Sequence, residues 1–279
     1  MKVFKTSQSL VEYLSNETRS VGMVPTMGAL HPGHLTLIER AVEENKRVLI
    51  SIFVNPTQFN DNNDLVNYPS SIVEDLLQIK KISKKILVYI PKVDDVYGHL
   101  VESKSFDLAG LDQVMEGKER SGHFQGVATV VAFFLKTFTP DRAYFGEKDF
   151  QQLLIIDYIN RSLKLKTKII GCPIVREKDG LAMSSRNSLL TVDQRKKASK
   201  LFEALQIAKS NARKIPYSSL KTKINAFFEK QDKITLDYFI IADPITLKEI
   251  HLEQPFDRGR GFIAAYLGKI RLIDNLDMS

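Results

Sequence analysis

Short apolar, β-branched runs alternate with amphipathic helical patterns over roughly the first 170 residues, and this alternation restricts the fold more than any other feature. Residues 47–54 (RVLISIFV) are the strongest strand, ended by Asn55-Pro56. Residues 21–25, 86–90, 142–145 and 166–170 read as further strands. Between them, residues 34–45 carry Leu35, Ile38, Ala41 and Val42 at helical spacing, and Tyr68-Pro69-Ser70-Ser71 opens a helix with Ile72, Leu76 and Ile79 on one face. Residues 60–67, rich in Asn and Asp, read as a loop. Residues 124–138 are apolar almost all round, as in a buried helix, and 150–160 form another helix. Alternating strands and helices predict an α/β fold with a parallel sheet covered on both faces. Ligands in such sheets bind at the carboxyl ends of the strands.

The pattern changes near residues 175–179. Beyond it come a long charged helix (192–214), a second helix (216–231) and strands at 236–242 and 261–267. The predicted division is a first domain of residues 1–176 and a smaller α+β domain of 177–279. Lys and Arg number 40 against 33 Asp and Glu, a surplus of +7 that fits acidic substrates. The lysines at 80, 81, 84 and 85 and the run Arg195-Lys196-Lys197 carry no interleaved aromatics, so no nucleic-acid partner is expected. Cys172 is the one cysteine, which excludes an internal disulfide and fits a reducing, cytoplasmic setting. No long apolar stretch follows Met1, and runs such as 127–135 are too short for a bilayer, so neither a secretory signal nor a membrane partner is expected.

Four constellations carry chemistry. Pro25-Thr26-Met27-Gly28-Ala29-Leu30-His31-Pro32-Gly33-His34 joins a strand to a helix. Two imidazoles three residues apart share one face at a helix start, where free N–H groups and the dipole favour an anion. Gly33 removes a side chain where a phosphate would approach. A zinc site would need a third ligand, and His99, His123 and His251 are scattered. Asn55-Pro56-Thr57-Gln58-Phe59 places amides past a strand, suited to a small polar substrate. Gly146-Glu147-Lys148-Asp149-Phe150-Gln151-Gln152 places a point cation and two amides at a strand-to-helix junction. Asp179-Gly180-Leu181-Ala182-Met183-Ser184-Ser185-Arg186-Asn187 sets hydroxyls beside an arginine in a loop suited to polyphosphate. Arg120, His123 and Gln125 precede or open the buried helix, and Asp75 lies on a helix face.

Together these segments resemble the pantothenate synthetase (pantoate–β-alanine ligase) family, in the HxGH nucleotidyltransferase group related to class I aminoacyl-tRNA synthetases. PTMGALHPGH, NPTQF, RSGHFQGVATVV, FGEKDFQQ and REKDGLAMSSRN stand in the family's order and spacing, and LDYFIIADPITL and IRLIDN also look family-like. The resemblance implies a Rossmann-like first domain that binds nucleotide and pantoate, and a C-terminal lid. It implies ATP-dependent condensation of D-pantoate with β-alanine through a pantoyl adenylate, releasing AMP and pyrophosphate. It assigns catalytic roles to His31, His34, Lys148, Ser184, Ser185 and Arg186. Gln58 and Gln152 would hold pantoate, with Pro25, Thr26, Met27, Asn55, Arg120 and Gln125 around it. ATP would meet Met27, Gly28, His31, Gly33, His34, Gly146, Glu147, Lys148, Asp149, Val175, Met183, Ser184, Ser185 and Arg186. Asp75 matches the position associated with Mg2+, and a homodimer is implied. Ser70, Ser121 and Phe150 depart from frequent arginine, proline and tyrosine, and the Ser70 change puts a basic contact from that loop in doubt. Two rivals are a nucleotidyltransferase making a dinucleotide from a phosphorylated acceptor, and an RNA-binding relative of the synthetases.

Overall fold

A computed structural model describes residues 1–17, 20–251 and 253–279, with only the backbone of Asn62 and Asn63. The chain divides into two compact units, Met1–Glu147 with Gln151–Pro173, and Lys148–Phe150 with Ile174–Ser279.

The first unit holds six strands, β1 (Lys2–Phe4), β2 (Val21–Thr26), β3 (Arg47–Ile52), β4 (Leu87–Tyr89), β5 (Arg142–Gly146) and β6 (Lys168–Cys172). They pair in the order β1-β4-β3-β2-β5-β6, every pair parallel. The helices are α1 (Ser7–Leu14), α2 (Pro32–Glu44), α3 (Asn62–Val66), α4 (Ile72–Ile82), α5 (Val93–Tyr97), α6 (Met115–Glu119), α7 (His123–Phe138) and α8 (Phe150–Ser162). The chain winds from β2 through β3 to β4 on one side, then returns to β5 and β6 on the other. The order therefore reverses between β2 and β5, and in sheets of this kind ligands bind outside the carboxyl ends of the strands at such a reversal.

Period-two alternation assigns the strand residues to opposite faces. Met23, Leu49 and Phe145 pack with Val127, Val131 and Phe134 of α7. Val24, Ile50 and Tyr144 pack with Ile38 of α2 and Ile79 of α4. This burial on both sides explains why the strands read as nearly unbroken apolar runs.

The second unit contains α9 (Val192–Ala198), α10 (Lys200–Ala212), α11 (Tyr217–Glu229) and an antiparallel sheet of β7 (Thr235–Ala242), β8 (Arg260–Leu267) and β9 (Ile270–Asp277). Leu205 of α10 and Ile224 of α11 share its core with Phe239 and Ile263 of the sheet.

Several sequence expectations need correction. Residues 60–67 contain a helical turn, α3, rather than loop alone. Ile72 is exposed, and the buried positions of α4 are Asp75 and Ile79. The helix expected over 192–214 is two helices, because Ser199 takes ψ −14°, well off the helical value of about −42°, and interrupts the ladder. Strands β1 and β9 had no clear sequence signal. Among the described residues no helix is long and apolar enough to cross a membrane.

Candidate active site

At the carboxyl end of β2 the chain turns through Gly28 (φ 84°) and Ala29 (φ 49°) before entering α2. Thr26 Oγ1 donates to Ser51 O (2.7 Å) and accepts from Gly28 N–H (3.3 Å), so this hydroxyl ties the turn to β3. His31 is the N-cap of α2, Pro32 opens the helix, and Gly33 follows. Proline suits this position because its fixed φ is helical and no N–H is lost from the ladder. The His31 backbone N–H reaches Nδ1 of His34 (3.4 Å), which assigns the His34 proton to Nε2 as a donor. The two rings lie 4.0 Å apart between centroids, both half-buried. Two imidazoles thus meet at a helix start whose first N–H groups favour an anion.

Beyond β3, a 3-10 turn (Pro56–Gln58) carries Gln58. Asn55, 1% exposed, donates through Nδ2 to Gln58 Oε1 (3.1 Å) and to Gly126 O (3.1 Å). Its Oδ1 accepts from Thr57 Oγ1 (3.3 Å) and from the Tyr97 hydroxyl. Both ends of the Asn55 amide are therefore engaged, and this residue orients Gln58. The Gln58 Nε2 donor reaches Met27 Sδ (2.9 Å). Gln58 and Met27 are thus brought together from two adjacent strand ends, with Pro25, half-buried, two residues before Met27.

The main chain of Gln58 is clamped as well. Its carbonyl accepts from His123 Nδ1 (2.8 Å) and from the Arg120 guanidinium (3.3 Å), and Arg120 also lies 3.2 Å from His123 Nε2. A ring whose Nε2 accepts from a guanidinium and whose Nδ1 donates to a carbonyl is a neutral imidazole in one tautomer. The Gln125 amide accepts from Phe106 N–H (2.8 Å) and donates to Phe106 O (3.0 Å). Of the adjacent amides on α8, Gln151 is buried and holds Leu111 O (2.7 Å), Val114 O (2.8 Å) and Glu116 N–H (3.1 Å). Gln152 is the half-buried one.

Gly146 ends β5, and no described atom lies within 4 Å of where a Cβ would stand there. A 3-10 turn (Glu147–Asp149) follows, in which Lys148 Nζ pairs with Asp149 Oδ1 (3.3 Å). In the second unit, residues 175–183 form a hairpin, with Met183 N–H bonded to Val175 O and Glu177 N–H to Leu181 O. The segment 179–187 is therefore hydrogen-bonded structure rather than an open loop. Ser184 caps a 3-10 turn (Ser185–Leu189) by accepting from Arg186 N–H (3.3 Å), and Ser184, Ser185 and Arg186 are half-buried.

Asp75 does not fit a metal ligand. It is fully buried, and its two carboxylate oxygens accept from the Ala29 N–H (2.9 Å) and the Leu30 N–H (2.7 Å). Burial pushes its carboxyl above the ordinary range, and the two N–H bonds pull against that rise. Among the described residues no group of three His, Cys, Asp or Glu side chains is placed to hold a metal ion. Sequence reasoning also passed over Tyr97, Gly126 and the clamping role of His123. A glycine inside an apolar helix was the one available signal for Gly126, because it marks a close backbone approach.

A doubly wound parallel sheet with an anion-ready helix start at its switch point defines a nucleotide-handling α/β enzyme. The sequence matches the family described as Pantoate-beta-alanine ligase over residues 2–277, and the chain belongs to that family. Pantothenate synthetases of Christiangramia forsetii and Flavobacterium psychrophilum are each 42% identical over the full length of both chains. The crystal structure of pantothenate synthetase from Thermus thermophilus superimposes with a TM-score of 0.93 at 38% identity, covering 100% of this chain and 99% of that one. The Francisella tularensis pantoate–β-alanine ligase, complexed with β-γ ATP and β-alanine, gives 0.81 at 34% identity, covering 100% and 98%.

Proposed function

We propose that the chain condenses D-pantoate with β-alanine at the expense of ATP, through a pantoyl adenylate, releasing AMP and pyrophosphate. The observation that carries this reading is a family match over residues 2–277 together with the paired imidazoles at the start of α2 and the braced Gln58, which reaches Met27 at the end of β2.

The pantoate carboxylate is a poor acyl donor. Its oxygen attacks the α-phosphorus, the bond from that phosphorus to the bridging oxygen breaks, and pyrophosphate leaves with the electron pair. Negative charge grows on the phosphoryl oxygens, so donors aimed there stabilise the transition state more than the ground state. His34 Nε2–H, His31, Lys148, Ser184, Ser185 and Arg186 are the proposed donors. Gln58 and Gln152 are proposed to hold pantoate, with Pro25, Thr26, Met27, Asn55, Arg120 and Gln125 around it. Gly146 leaves room for the nucleotide, and Gly28, Gly33, Glu147, Asp149, Val175 and Met183 complete its proposed contacts. The β-alanine amine then attacks the acyl carbon, the amide bond forms, a proton leaves the nitrogen and AMP departs. No enzyme nucleophile is needed. Cys172 is buried and its thiol is pushed up by that burial, which speaks against a thioester route. Holding the reactants in line is the main contribution.

The first domain, residues 1–176, is proposed to bind nucleotide and pantoate, and 177–279 to act as the lid. Mg2+ is proposed to accompany ATP, held by groups other than Asp75. The lone buried thiol supports a reducing, cytoplasmic setting. Val73 and Leu77, one turn apart on α4 and both exposed, support a homodimer by offering an apolar face.

Purified protein should sustain AMP and pyrophosphate release only when pantoate, β-alanine and ATP are all present. Release of ADP, or a dinucleotide product, would overturn the reading.

A further inference from the structure

Two successive left-handed residues, Gly28 and Ala29, turn neighbouring backbone N–H groups to one side of the chain. Such a concavity is an anion site. Here the anion is supplied from within the protein, because Asp75 Oδ2 takes the Ala29 N–H (2.9 Å) and Oδ1 takes the Leu30 N–H (2.7 Å). One turn further along α4, Gln78 Nε2 donates to Leu30 O (3.4 Å), so α4 grips both polar groups of that residue. The fit is close. A Cβ added at Gly28 would stand 3.0 Å from Asp75 Oδ2. Ala29 keeps a φ of 49° although it has a side chain, a conformation that costs about 1 kcal/mol or more and persists where surrounding contacts impose it.

We infer that Asp75 is a positioning residue, whose carboxylate fills the N–H concavity between β2 and α2 and so sets where His31 and His34 begin the helix, and that it is not a ligand for Mg2+. A carboxylate with both oxygens bonded to backbone N–H groups and no exposed surface keeps its remaining lone pairs inside the protein, where a hydrated cation reaches them only if the turn is dismantled. The concavity is also closed to the substrate. Phosphate oxygens therefore meet the N–H groups and imidazoles of α2, two to five residues further on. This last step rests on the proposed nucleotide role of the two histidines, whereas the clamp itself does not.

The test uses the full chain. In the wild type, the backbone amide resonances of Ala29 and Leu30 should stay in place as MgCl2 is added without nucleotide. In Asp75→Asn the amide group presents one acceptor and one donor to two N–H groups. Exchange of the Ala29 and Leu30 amides should then accelerate by roughly 10- to 100-fold, the worth of a hydrogen bond to a charged acceptor. The KM for ATP should rise about tenfold while that for β-alanine stays at the wild-type value, a split that mere loss of folded enzyme would not produce. Movement of the two wild-type amides with MgCl2 alone would overturn the inference. So would an Asp75→Asn enzyme that needs more Mg2+ for half-maximal rate yet retains wild-type amide exchange. If Asp75→Asn does not fold, the wild-type titration decides. A wild-type enzyme that fails to bind ATP would remove the histidine reading and leave the amide result standing.

Discussion

Replacing Gly126 with alanine moves Gln58 without altering it. Gly126 lies on the face of α7 turned to the 3-10 segment after β3, where an added Cβ would stand 2.5 Å from Thr57 O and 2.8 Å from Gln58 N. Ordinary van der Waals contact begins at 3.4 Å, so backbone must retreat by about 0.9 Å. Both neighbours are main-chain atoms, and neither can rotate away. Alanine gains about 1 kcal/mol of helix propensity over glycine, while overpacking costs about 1–3 kcal/mol. The net loss of about 2 kcal/mol or less leaves a chain of this size folded, with Tm lowered by at most roughly 8 °C. The catalytic effect should be larger than the stability effect, because a displacement near 1 Å costs roughly 10²-fold in rate. Asn55 would lose its hold at the same time, since it bridges Gly126 O and Gln58 Oε1. Initial rates at varied pantoate should therefore show a raised KM and a kcat/KM reduced by up to roughly 10²-fold, with the KM for ATP little changed. Wild-type pantoate kinetics in a folded Gly126→Ala enzyme would refute the argument that Gln58 must be held in place to bind pantoate.

Two further perturbations address other parts of the molecule. His34→Ala should leave circular dichroism unchanged and lower kcat by roughly 10²–10³-fold, the loss expected for one donor to a developing oxyanion, and an unchanged rate would remove this imidazole from the phosphate site. Arg195 bonds Asp179 (2.6 Å) and holds that carboxyl below its ordinary value, so the stabilisation is complete above about pH 3.9 and is lost as pH falls through the lowered folded value. The pair is partly exposed, so Arg195→Met should destabilise by less than about 1 kcal/mol at neutral pH and flatten only the acidic limb of a stability-against-pH curve measured by urea unfolding.

Most of the architecture was legible because strand and helix periods are local. Residues 47–54 and 124–138 declare a buried strand and a buried helix by composition alone, and both are found nearly where expected. Strand β1 was not legible, because three residues at a sheet edge carry too little pattern. The long helix over 192–214 was overextended, since a serine in a charged helical run gives no warning of a kink.

Motif order likewise identified the family, because short segments such as HPGH and NPTQF need only their own neighbours to be read. Which donor ends up facing which acceptor required the folded chain. Asp75 meets the Ala29 N–H across 46 residues, and His123 meets the Gln58 carbonyl across 65. Hydrogen bonds act over about 3 Å, and nothing in a local pattern encodes which distant atoms the packing of helices on a sheet will bring within that reach.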